Sequence, residues 1–132
     1  MGVTPMGMVL VMSGGALGAA ARYAMVDLIK PSAPNFPLGT LLVNLLGCAC
    51  IGVLVGALGV SPLSTKTPSG VGLFLATGVL GGFTTFSAFA IEASQLLKDG
   101  RAWSAFAYVL LSTALGVTLA MGAMVVTEKI VR

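Results

Sequence analysis

The chain lacks most of what an enzyme or a soluble domain needs. It has no histidine, no GxSxG segment and no cluster of carboxylates, so no acid, base or nucleophile set for catalysis stands out. Charge is scarce: seven Lys/Arg and four Asp/Glu make up 8% of 132 residues, against roughly a quarter in soluble domains. No basic run exists, which excludes a nucleic-acid surface despite the net charge of +3. The only cysteines, Cys48 and Cys50, are two apart in an apolar segment. Residues i and i+2 of a helix do not share a face, so neither a disulfide nor a metal pair is read there. The start of the chain has no basic n-region followed by a cleavage pattern, and the first apolar segment is expected to remain as a helix.

What is present is hydrocarbon. The chain is 57% hydrophobic with a mean hydropathy of +1.03, a composition that belongs in a bilayer. Four apolar segments each exceed the ~20 residues that cross a membrane. They run from Met6 to Ile29, from Leu38 to Gly59, from Val71 to Leu97 and from Trp103 to Thr127. Between them lie Pro31, Pro34, Asn35 and Pro37, then the Ser/Thr/Pro stretch 61–68, then Lys98-Asp99-Gly100-Arg101. The expectation is an all-α membrane protein, one four-helix transmembrane domain over residues 1–132.

Small residues recur at helical spacing. Gly14 and Gly18 share one face of the first segment, and Gly52 and Gly56 repeat the pattern on the second; both read as close helix-packing surfaces. The third segment departs most from an ordinary span. Gly78-Val79-Leu80-Gly81-Gly82-Phe83-Thr84-Thr85-Phe86-Ser87-Ala88-Phe89 carries glycines, hydroxyls and aromatic rings where Leu, Ile and Val would be ordinary. Glycines weaken a helix, and hydroxyls in hydrocarbon need partners. A broken third helix over Gly78–Thr84 is expected, buried in protein or lining a cavity.

Such a break supplies chemistry. Freed carbonyls suit a cation such as Na⁺, and the N-terminus of a half-helix favours an anion. Thr84, Thr85 and Ser87 add hydroxyl donors, and Phe86 and Phe89 share a face three residues apart. Ring edges are positive and can meet a small anion without the grip of a lysine. On the second segment Thr40 and Asn44 share a face, with an amide that can donate to an anion or to a neighbouring helix. Ser112 and Thr113 on the fourth segment either extend the hydroxyl track or bond back to their own helix. Glu92 reads either as an interfacial residue six positions from Lys98 or as a pathway acid. Arg22 reads as a basic side chain reaching the interface, as the mouth of an anion pathway, or as both.

Charge gives a further clue. Lys66, Lys129 and Arg132 fall on one side of a four-span layout. Lys30, Lys98 and Arg101 fall on the other, with Arg22 near them. The positive-inside rule then sets no orientation, and two copies inserted both ways up could pair antiparallel about an in-plane two-fold axis.

Three ordered stretches resemble the Fluc/CrcB family of small fluoride channels. They are Gly-Ala-Leu-Gly-Ala ahead of Arg22-Tyr23, Pro37-Leu38-Gly39-Thr40-Leu41-Leu42-Val43-Asn44, and Gly78 through Phe89 to Glu92. The resemblance implies an antiparallel, dual-topology homodimer in the inner (plasma) membrane. It implies two fluoride pathways and passive export of cytoplasmic fluoride. Phe86 and Phe89 match the aromatic box, Asn44 the pore asparagine and Arg22 the vestibule arginine. Thr40, Thr85, Ser87 and Ser112 match a polar track. Gly81 and Thr84 match positions whose carbonyls hold a central structural Na⁺. Ala88 and Ala90 stand where members often have Thr or Ser, and Gly116 stands near a second serine position. The competing readings are a small dual-topology proton-coupled cation or drug exporter and a non-transporting assembly subunit.

Overall fold

The computed structural model describes residues 3–33, 35–59 and 70–131. Pro34, the stretch 61–68 with Lys66, and Arg132 lie outside them. The protein is all-helical, with four helical spans long and apolar enough to cross a membrane. Helix α1 is Pro5–Ile29, α2 is Leu38–Leu58, and the third span, Gly70–Lys98, comes in two pieces. We label residues 70–83 α3 and Phe86–Lys98 α4; α5 is Ala102–Val131. The last helix runs past the expected Thr127 by a further turn, through Glu128 and Lys129.

Local chemistry sets the ends. Thr4 caps α1 by accepting the Gly7 N–H at 3.1 Å, and Pro5 sits in the first turn, where its missing N–H costs nothing. Pro31 follows in a short 3₁₀ turn, Lys30–Ser32. Helix α4 ends on Gly100 with φ +74. The Arg101 N–H bonds Leu96 O at 2.9 Å and the Gly100 N–H bonds Leu97 O at 3.0 Å. That glycine-ended double bond turns the chain straight into α5.

The glycine faces decide who packs on whom, and the order is interleaved. Helix α1 lies on α3 and α2 lies on α5. A Cβ on Gly14 would stand 2.5 Å from Phe74 O and 3.0 Å from the Gly78 Cα, so the two backbones pass in near contact. Gly52 and Gly56 meet the backbone of α5 at Ala120 and Met124 in the same way. A buried apolar cluster of Leu41, Leu96, Ala105 and Tyr108 closes the end of the bundle near the α4–α5 turn. Elsewhere large apolar side chains such as Leu17, Val117 and Met121 face outward, as a hydrocarbon solvent requires.

Candidate functional site

The third span is irregular over more than a turn. Residues Leu73–Leu80 form a π-helix, a wide coil that occurs mostly at functional sites. Helical geometry then stops at Thr84 (φ −82, ψ 157) and Thr85 (φ −149, ψ 119), both extended. The interruption therefore falls at the C-terminal edge of the window expected from the glycines. Gly78 lies inside the π-helical stretch and is buried against α1, so at that glycine the helix is widened rather than broken.

Hydrogen bonds from the side replace those the helix loses. Both the Thr84 N–H and its hydroxyl donate to Leu80 O, at 3.0 and 2.9 Å. The Thr85 N–H, which would close the next turn on Gly81 O, donates instead to Asn44 Oδ1 at 2.8 Å. Asn44 Nδ2 returns a bond to Thr85 O at 3.0 Å. The Thr85 hydroxyl then caps α4 by accepting the Ala88 N–H at 3.2 Å. One turn beyond Asn44, a Cβ on Gly47 would run into Thr84 Cγ2, so only glycine lets the break lie this close to α2.

A cavity of about 400 Å³ opens beside the break. Asn44, Thr84, Thr85, Phe86, Phe89 and Ser112 line it, together with Gly81 and Cys48. The Phe86 and Phe89 rings are tilted at 45° with centroids 5.6 Å apart. Phe89 leans on Tyr108 at 5.1 Å, whereas Phe86 is 79% exposed. The Ser112 hydroxyl is buried and has no hydrogen-bond partner among the described residues. Thr113 takes the back-bonding role, donating to Val109 O at 2.8 Å. Ser87 is exposed, touches the Thr85 hydroxyl at 3.3 Å and lines none of the three main polar cavities.

Two further cavities approach from the end of the bundle that carries the α4–α5 turn. One, about 330 Å³, runs past Arg22, Tyr23 and Asp27 to Thr40, Thr85 and Glu92. The other, about 420 Å³, runs from Lys30, Asp99 and Arg101 to the same Thr40 and Glu92. Thr85 thus borders both the Arg22 cavity and the phenylalanine cavity. Glu92 is half-buried, with its carboxylate held between helices. Its carboxylate accepts the Thr40 hydroxyl at 2.8 Å and the Tyr108 hydroxyl at 2.7 Å, and Thr40 and Tyr108 are 3% and 0% exposed.

Tyr108 escaped the sequence reading. Its signal was there: Tyr108, Ser112 and Gly116 are spaced four apart, so they share one face of α5. Tyr108→Phe should destabilise the protein by about 1–2 kcal/mol, because Glu92 loses one of two charge-assisted bonds. Thermal unfolding in detergent, with Thr40→Val and the double variant completing a cycle, measures it; additive losses would mean that the two hydroxyls act independently.

For a cation, the side chains offer little. Among the described residues no group of three His, Cys, Asp or Glu could hold a metal, and Cys48 and Cys50 are free thiols. The backbone fits better. Gly81 O has lost its helical donor to Asn44, and extended Thr84 turns its carbonyl out of the helical ladder. Neutral carbonyl oxygens are the donors that hard cations take.

Residues 9–124 match the family described as "CrcB-like protein, Camphor Resistance (CrcB)". A protein of Paracoccus denitrificans named fluoride-specific ion channel FluC is 43% identical over 113 residues, covering 86% of this chain and 87% of its own. One of Prosthecochloris aestuarii with the same name is 46% identical over 104 residues, or 76% and 77% of the two chains. Another, of Desulfotalea psychrophila, is 38% identical over 124 residues, 94% of each.

Proposed function

We propose, on the premise that this chain belongs to the CrcB-like family, that it is a fluoride channel and exports cytoplasmic fluoride passively. The protein is a multi-pass membrane protein, and its family is one of ion channels rather than enzymes. The observation that carries the reading furthest is the convergence of two cavities on Thr85, with a pair of phenylalanines and an unpartnered serine hydroxyl beyond it.

Fluoride is small and strongly hydrated, so a pathway must replace its water with many weak donors. Arg22 attracts the anion to the vestibule. Thr40 and Tyr108 occupy both Glu92 oxygens, which spreads that negative charge and keeps it from closing the route. Beyond Thr85 the donors are the Ser112 hydroxyl, the second Nδ2 hydrogen of Asn44 and the edges of Phe86 and Phe89. None holds a full positive charge, so the anion enters and leaves again. Ser87 contributes by steadying the Thr85 hydroxyl.

The exposed Phe86 ring and the open flank of its cavity are the reason to place a second, antiparallel copy against this face, giving two pathways per dimer in the plasma membrane. The Gly81 and Thr84 carbonyls would hold a structural Na⁺ at the centre of that dimer, where a fixed cation offsets the cost of anions at low dielectric.

The test is electrogenic flux. Liposomes holding the purified protein and loaded with fluoride should release it when a potassium ionophore provides the counter-current, without a proton gradient. Chloride-loaded vesicles should stay closed. Efflux of an organic cation tied to proton uptake would replace this reading with the exporter, and vesicles tight to every ion with the assembly subunit.

A further inference from the structure

We propose that Asn44 is the positioning residue of the cation cradle: by holding both backbone groups of Thr85 it keeps the third span open and so sets how tightly the cradle holds Na⁺. The inference rests on the reading of Gly81 and Thr84 as carbonyl ligands given above.

The argument is a competition for one N–H. The Thr84 N–H still reaches Leu80 O at 3.0 Å, so the helix is intact up to that bond. One more bond, from the Thr85 N–H to Gly81 O, would lengthen it by a residue. Asn44 Oδ1 takes that N–H at 2.8 Å. A single acceptor would hold Thr85 loosely, but Nδ2 also donates to Thr85 O at 3.0 Å. The primary amide therefore grips one residue twice, as a neighbouring strand would.

Helix α2 makes the grip firm. It presents Asn44 one turn from Gly47, where Thr84 rests, and its far end is seated on α5 through Gly52 and Gly56. Without the amide, the cheapest partner for the Thr85 N–H is Gly81 O, because an unpaired backbone group in a dry interior is costly. The carbonyl that closes this bond is one the cation needs. Asn44 also lines the phenylalanine cavity, so one side chain touches the anion route and governs the cation site.

Na⁺-dependent thermal stability of the purified protein in detergent, with choline replacing Na⁺, separates these roles, since an ion bound only by the folded form raises its stability with concentration. Wild type should show a saturable Na⁺ midpoint. Asn44→Leu, similar in shape but unable to bond Thr85, should need about tenfold more Na⁺ or beyond. Phe86→Ile should leave the midpoint unchanged. If wild type shows no Na⁺ dependence, the cation reading itself falls. If wild type responds and Asn44→Leu has the same midpoint, only this inference falls. Should Asn44→Leu not fold, Asn44→Ala decides, since it removes the amide without adding bulk: a midpoint raised about tenfold supports the proposal, and an unchanged one overturns it.

Discussion

Phe86→Ile is expected to lower fluoride flux by about thirtyfold or more while leaving the fold and its assembly intact. Within one copy the ring is 79% exposed and, among the described residues, stacks only on Phe89, and isoleucine keeps an apolar side chain toward a second copy, so the change removes little packing. What it removes is a positive ring edge at the cavity wall. Taking for the ring edge the order of 2 kcal/mol that a cation gains on a desolvated ring face, its loss from the barrier slows passage about thirtyfold. Isoleucine keeps the bulk and the apolarity, so a fall in flux reports the lost edge rather than a widened pore. Phe89 is the poorer test because it also supports Tyr108 at 5.1 Å. Fluoride-electrode recordings on proteoliposomes, with size-exclusion profiles matched to wild type, give the answer; flux within twofold or so would take the aromatic pair out of the mechanism.

Gly18→Ala should damage the protein more than any polar substitution. A methyl group there would press on the Val79 carbonyl and come within 2.8 Å of the Phe83 backbone nitrogen. These are backbone atoms of α3, which cannot rotate aside as a side chain can. The helices must part, and overpacking of this kind costs roughly 1–3 kcal/mol or more. The loss should be selective in space, since α1 and α3 separate just ahead of the break. Thermal unfolding should therefore drop together with flux. Gly122→Ala is the control: nothing lies within 4 Å of a Cβ there, and it should behave as wild type.

Much of this was legible in the residues. Length and hydropathy located four spans to within a turn, because a bilayer reads little else. Gly14, Gly18, Gly52 and Gly56 advertised close packing, although their spacing does not reveal which helix answers them. The oddity of the third span was plain, but its mechanics were not. The glycines pointed to a helix broken or widened from Gly78 on, and it is widened there, but it opens where an outside group outbids its own bonds. That group, Asn44, is 41 residues away in sequence. Glu92 was ambiguous for a similar reason. Counting from Lys98 places it near the interface, and only the folded chain brings the hydroxyls of Thr40 and Tyr108, from two other helices, onto its carboxylate. Polar partners brought from distant segments leave no local period to detect.

The interleaved packing of α1 on α3 and α2 on α5 bears on how the chain is made. Helices α1 and α2 emerge from synthesis before their principal partners exist, and the two have only a small mutual contact to share meanwhile. They must persist singly in the bilayer, which their apolar length allows. The α1–α3 pair can form once the third span is made, but the α2–α5 pair waits for the last helix to leave the ribosome. A chain cut short before α5 would leave α2 without its seat, and with it the amide that pins Thr85.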